Sequence, residues 1–213
     1  MIFYTLYKNA YRDISYLEKP INEKFYINIT NKCPCSCTFC LRQTKEMLEN
    51  NSLWLKEDPT STQIICELKK YDLTLVPEII FCGFGEPLEN IDVVCEVAKY
   101  IKDTYPNIHI RVNTNGLGNL VHNKDITPSL KGLIDTISIS LNASNKEEYL
   151  KVTRSRFGIG SFDAMLEFAR LSKSYVPNVV LSVVDVIGKE EIQKCQTICD
   201  NLGVKLRVRV YEE

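Results

Sequence analysis

Six short β-prone runs alternate with helical stretches along most of this chain, and that rhythm constrains its fold more than any single residue. The first run, Phe25-Tyr-Ile-Asn-Ile-Thr30, alternates apolar and polar side chains. The others lie at residues 78–82, 108–112, 136–141, 179–184 and 204–211. Between them come segments of helical spacing, with Ile64, Ile65, Leu68 and Tyr71 on one face and Val93, Val94, Val97 and Ile101 on another. Helices are expected over residues 41–50, after an N-cap at Thr60 or Ser61, and over 91–103, 128–133, 146–152, 162–175 and 189–202. Strands alternating with helices build βαβ units with right-handed crossovers, hence a parallel sheet. The pattern predicts an α/β fold, a (βα)6 partial TIM barrel over residues 25–213. Residues 1–24, aromatic and mixed, are expected to form an N-terminal flap or extension.

The loops that follow the strands carry the unusual chemistry. The first strand runs into Asn31-Lys-Cys-Pro-Cys-Ser-Cys-Thr-Phe-Cys40, and the second ends in Gly83-Phe-Gly-Glu-Pro87. The third ends in Asn113-Thr-Asn-Gly116 and the fourth in Asn142-Ala-Ser-Asn145. In a parallel barrel the carboxyl ends of the strands share one face, where ligand-binding loops converge. Four such loops on one rim predict a single active site.

Four of the nine cysteines fall within eight residues of the first loop. Thiolates select iron–sulfur clusters, zinc or Cu(I). Two ligand sets fit the spacing. Cys33, Cys37 and Cys40 alone give Cys-x3-Cys-x2-Cys, while adding Cys35 gives a four-thiolate set suited to tetrahedral zinc. The Cys-x-Cys spacings are tight for structural zinc, where Cys-x2–4-Cys is usual.

Composition narrows the class further. Apolar residues at 45% and charged residues at 25% are ordinary for a globular domain. A formal net charge of −1 provides no global basic field, so nucleic acid enters only as a substrate in a local cleft. No stretch approaches ~18 uninterrupted apolar residues, so no membrane span is expected. The first residues lack a basic segment followed by an apolar one, so no secretory signal is expected. Clustered thiols without that signal point to a reducing compartment, and the expected location is cytoplasmic.

With Phe39 before the last cysteine, Cys33, Cys37 and Cys40 resemble the Cys-x3-Cys-x-aromatic-Cys motif of the radical S-adenosylmethionine (radical SAM) superfamily. The resemblance covers nearly the whole chain. It implies a [4Fe–4S] cluster on those three thiolates, with the fourth iron open to S-adenosylmethionine (SAM). The stretch from Gly83 to Pro87 resembles the Gly-Gly-Glu-Pro loop that meets the SAM amino group: Phe84 replaces the motif's first glycine, while Gly85, Glu86 and Pro87 match. Asn113 and Asn115 resemble the loop near the SAM ribose and methionine. Ser138-Ile-Ser-Leu-Asn142 resembles the fourth-strand Ser-Leu-Asp, implying that Ser140 and Asn142 bond the SAM carboxylate or ribose. By the same resemblance Arg154 pairs with the methionine carboxylate, or is a solvated helix-end arginine. Val184 packs on adenine, or simply in the core. A finer resemblance, in stretches such as Tyr26-Ile-Asn-Ile-Thr-Asn31 and Leu206-Arg-Val-Arg209, is to TatD-family-associated radical SAM proteins.

The activity so implied needs a flavodoxin- or ferredoxin-type reductant. One electron from the cluster splits SAM to methionine and a 5′-deoxyadenosyl radical, which takes hydrogen from a substrate the motif leaves undefined. A nucleoside or nucleic acid and a partner protein at the open barrel mouth both suit. Asp185, at the end of the fifth strand, and Arg207 and Arg209, on the sixth, are candidates for the substrate. For the arginines the competing role is charge protection of an edge strand. A non-catalytic iron–sulfur electron carrier and a zinc-binding interaction module stay open as alternatives, but both leave the Glu86 loop unexplained.

Overall fold

A computed structural model describes residues 1–7, 10–17, 21–44 and 52–211. An antiparallel hairpin, β1 (Phe3–Tyr7) and β2 (Ala10–Asp13), joins the sheet through pairing of β1 with β3 (Phe25–Ile27). From β3 onward every neighbouring pair is parallel: β4 (Glu78–Phe81), β5 (His109–Thr114), β6 (Thr136–Ser140), β7 (Asn178–Val184) and β8 (Lys205–Arg209). Spatial order follows chain order across these six strands, as the partial TIM barrel requires. The crossovers carry α1 (Leu41–Thr44), α2 (Ser61–Leu68), α3 (Ile91–Thr104), α4 (Gly118–His122), α5 (Lys146–Thr153), α6 (Ser161–Ser172) and α7 (Lys189–Leu202).

Alternation along each strand decides which face holds the core. In β5, Ile110, Val112 and Thr114 are buried while His109, Arg111 and Asn113 are half-buried. Ile79, Phe81, Ile110, Val112, Ile137 and Ile139 are fully buried in one cluster with Val94, Val97 and Ile101 of α3 and Met165 and Phe168 of α6. Each such side chain contributes about 1.5–3 kcal/mol by burial. The opposite face of the sheet is left polar.

Local signals set most boundaries. Thr60 caps α2 in a reciprocal box with Gln63, and Gly203, at φ 64°, ends α7. Three expectations change. The first strand stops at Ile27, and beyond it the side chains of Asn28 and Thr30 tie the segment to Leu53 O and Asp58. The helix expected over 128–133 is a 3-10 turn, Thr127–Leu130, started by Pro128, and α4 precedes it unforeseen. Of the helix expected over 41–50, Leu41–Thr44 is helical and the rest lies outside the described residues. Among the described residues no helix is long and apolar enough to cross a membrane.

Candidate active site

The cysteine loop after β3 is fastened to three neighbouring segments. Backbone N–H groups of Ser36 and Thr38 donate to Thr153 O and Val152 O at the end of α5, each at 2.9 Å, and Arg156 N donates to Pro34 O at 2.9 Å. Glu86 N donates to Lys32 O at 2.7 Å, tying the loop to the one after β4. From α1, the Arg42 guanidinium donates to Asn31 O and Cys35 O. Cys33, Cys37, Phe39 and Cys40 are half-buried, whereas Cys35 is only 5% exposed. Hydrogen bonds to Cys33 and Cys37 push the Cys35 thiol up, so it stays a protonated donor. The reciprocal bond from Cys35 holds Cys33 down to about 6, with Arg42 and Asn115 acting in the same sense against burial. Cys37 is lowered by the same neighbour. Half-buried thiols biased toward thiolate beside a guanidinium have the character of metal ligands. Among the described residues no three His, Cys, Asp or Glu side chains surround a single ion position. A [4Fe–4S] cube asks instead for thiolates that each take a different iron, and this donor set fits that demand.

The loop after β4 packs directly beneath. A Cβ on Gly85 would lie 2.1 Å from Thr30 O, so only glycine lets the two loops touch. Glu86 is 4% exposed and fully engaged: its carboxylate accepts from Thr114 Oγ1 at 2.6 Å, Asn115 N at 2.7 Å and Leu88 N at 3.1 Å. Burial pushes this carboxyl up to about 8, with Cys33 in the same sense and the three donors opposing. Its side chain therefore clamps the β5 loop to the β4 loop. Glu86→Gln turns one acceptor into a donor facing donors. The expected cost is about 1–3 kcal/mol of apoprotein stability, read as a lower denaturant midpoint at unchanged slope. Phe84, the departure from the glycine-rich motif, is buried with Tyr4, Tyr11 and Leu53, so it anchors the hairpin to this loop. Gly83 faces Asn28 closely, and Pro87 is buried at the start of the next turn.

Three asparagines complete the rim. Asn115 Nδ2 donates to Cys33 Sγ at 3.8 Å, joining the β5 loop to the cysteines. Asn113 Oδ1 and Asn142 Oδ1 are buried without a hydrogen-bond partner. Buried acceptors without donors are rare and mark places where a ligand or water completes the network. They suit the ammonium or ribose hydroxyls of SAM. Asn142 adopts a left-handed backbone, φ 58°, just past Ser140, which is half-buried; Val184 is buried at the end of β7. Arg154 is exposed in a left-handed C-cap, φ 48°; its backbone N–H donates to Leu150 O, and its guanidinium has no hydrogen-bond or ion-pair partner among the described residues.

The polar inner face of the sheet carries the substrate candidates. Register places Ser182 beside Arg207 and Val184 beside Arg209, so both arginines share the face of the rim residues. Arg111 pairs with Glu78 at 3.4 Å, and burial pushes the Tyr26 phenol up. Tyr26 stacks on Tyr4 with ring centroids 4.9 Å apart. Arg207 is exposed and Arg209 half-buried on this face. Asp185 accepts from Tyr211 N at 2.9 Å, which pins the end of the chain beyond β8. Cys195 and Cys199 are fully buried in α7, and burial pushes their thiols up to about 12 and about 11. Arg42, Thr114 and Arg111 were not singled out in the sequence. Only their spacing to Cys40 and to the Asn113 loop could have marked them.

Comparison with known proteins accords with this geometry. Residues 27–201 match the family model of the Radical SAM superfamily. A probable GTP 3′,8-cyclase of Saccharolobus islandicus is 30% identical over 85% of this chain and 54% of its own length. The GTP 3′,8-cyclase of Corynebacterium glutamicum (strain R) is 27% identical over 85% of this chain and 47% of its own. The chain therefore spans about half the length of these curated relatives. Among solved structures, Streptococcus suis SuiB bound to S-adenosylmethionine superposes with a TM-score of 0.59 at 16% identity, over 88% of this chain and 39% of that one. That likeness bears on the fold.

Proposed function

Because the chain belongs to the radical SAM superfamily, we propose that it is an enzyme that abstracts hydrogen from an anionic, nucleotide-like substrate held on the inner face of its sheet. The superfamily's cofactors are a [4Fe–4S] cluster and SAM, which together supply a 5′-deoxyadenosyl radical once an electron arrives. Cys33, Cys37 and Cys40 would hold the cluster, and Cys35 stays a thiol between two of them. Asn113, Asn115, Ser140 and Asn142 would orient SAM, while Gly85 and Glu86 keep the loops in contact so that these groups face one point. Arg154 would meet the SAM carboxylate and Val184 the adenine. A flavodoxin- or ferredoxin-type protein would deliver the electron.

The observation that carries the substrate class is the inner face itself. Register puts Tyr26, Arg111, Arg207 and Arg209 on one face of the sheet, where Tyr4 stacks on Tyr26 and Glu78 pairs with Arg111. Guanidinium groups suit phosphate and carboxylate, and aromatic rings suit a base. The names of the relatives, GTP 3′,8-cyclases, point to the same class. The test incubates reduced, SAM-loaded protein with nucleotides deuterated on the sugar or base and follows deuterium into 5′-deoxyadenosine. Transfer from a nucleotide supports the reading; transfer only from a peptide or an uncharged compound overturns it. With the substrate in hand, Arg207→Ala should raise KM about 10–100-fold, the loss of one charge-assisted contact, with kcat changed far less.

A further inference from the structure

Tyr149 presents a buried hydroxyl that the reading above does not use. Its side chain is 1% exposed, and its Oη has no hydrogen-bond partner. The ring is held rigidly, edge-on to Phe162 with centroids 5.6 Å apart. A phenol so buried ordinarily finds an acceptor, because an unmade bond there is costly. Tyr149 lies one helical turn before Thr153 on α5, and both are buried, so they share a face. Thr153 O accepts from Ser36 N of the cysteine loop, so the carboxyl end of α5 abuts the loop, and Tyr149 lies in the same buried cluster as Cys35, with Cys33 and Cys37 packed against that cluster. Burial, foremost, pushes the phenol up and keeps it a neutral donor, with the cysteine loop and Glu86 acting in the same sense.

We propose that the Tyr149 hydroxyl donates a hydrogen bond to a sulfur of the cluster held by Cys33, Cys37 and Cys40, and so sets how easily that cluster is reduced. This inference rests on the cluster assignment above. Hydrogen bonds to cluster sulfurs stabilise the more negative, reduced state and raise the potential. Thr114, Asn115 and Leu88 already donate to the Glu86 carboxylate, so that group does not depend on the phenol.

The test compares reconstituted wild type with Tyr149→Phe, a change that removes one oxygen and keeps the ring. The expected result is a midpoint potential more negative in the variant, in a redox titration followed by electron paramagnetic resonance. Proton hyperfine spectra of the reduced wild-type cluster should show a coupled proton that disappears in D2O and is absent from the variant. The apoprotein of the variant should melt no lower than wild type, since the hydroxyl has no protein acceptor to lose. Equal potentials, or a wild-type cluster without the exchangeable proton, would overturn the proposal. Failure of wild type to bind any [4Fe–4S] cluster would instead overturn the cluster assignment.

Discussion

Cys37→Ala should reduce SAM cleavage to the level of cluster-free protein, whereas Cys35→Ala should retain it. The two residues are separated by one position, so composition and location cannot explain such a difference. Cys37 is half-buried with its thiol lowered; Cys35 is buried, and its thiol is pushed up by its bonds to Cys33 and Cys37. A thiol held protonated between two ligands serves them as a donor and need not bind iron itself. Losing it removes a small buried side chain, a cost of about 1–2 kcal/mol, without removing a ligand. Losing Cys37 leaves two thiolates where three irons need holding. The check is iron and sulfide content after anaerobic reconstitution, together with 5′-deoxyadenosine formed under dithionite. Equal loss in both variants would make Cys35 a ligand and revive the four-thiolate zinc set.

Gly85→Ala should damage the same site without touching a cysteine. The added Cβ would meet Thr30 O at 2.1 Å and Lys32 O at 2.8 Å, both backbone atoms that cannot swing aside. The cysteine loop must retreat, stretching the Glu86 N to Lys32 O bond that now measures 2.7 Å. Overpacking of this kind costs about 1–3 kcal/mol, and rigid backbone on the receiving side places it at the upper end. Cluster retention should fall with it, because the loop that moves carries all the ligands. Gly160→Ala is the matched control: its φ is −69° and nothing lies within 4 Å of the added carbon. That variant should unfold within about 0.5 kcal/mol of wild type and load its cluster normally. Denaturant titration and iron content on both proteins decide the matter.

Much of this was legible in the residues because the loops are chemically unlike ordinary turns. Cysteines at ligand spacing, Glu86 beside a proline and paired asparagines after strands have few other uses, and the alternation of elements put them on one rim. What stayed hidden depends on contacts far apart in sequence. Glu86 reads as an acceptor for an ammonium, yet its three donors include Thr114 and Asn115 from the next strand's loop. Phe84 reads as a defect in a glycine-rich motif until Tyr4, Tyr11 and Leu53 close around it. Arg207 reads as a guard on an edge strand, and only the register along six strands puts it on the same face as Tyr26. Tyr149 has the spacing of any core aromatic on a helix, and only its unpartnered oxygen distinguishes it. β3 ends sooner than its alternation suggests, and the side chains of Asn28 and Thr30 bond to Leu53 O and Asp58, partners remote in sequence.

The most direct measurement is anaerobic reconstitution with iron and sulfide, followed by reduction in the presence of SAM. The protein should take up one [4Fe–4S] cluster and release 5′-deoxyadenosine and methionine. A colourless, zinc-loaded protein that leaves SAM intact under fully reducing conditions would contradict the assignment of Cys33, Cys37 and Cys40 as ligands of a SAM-cleaving cluster.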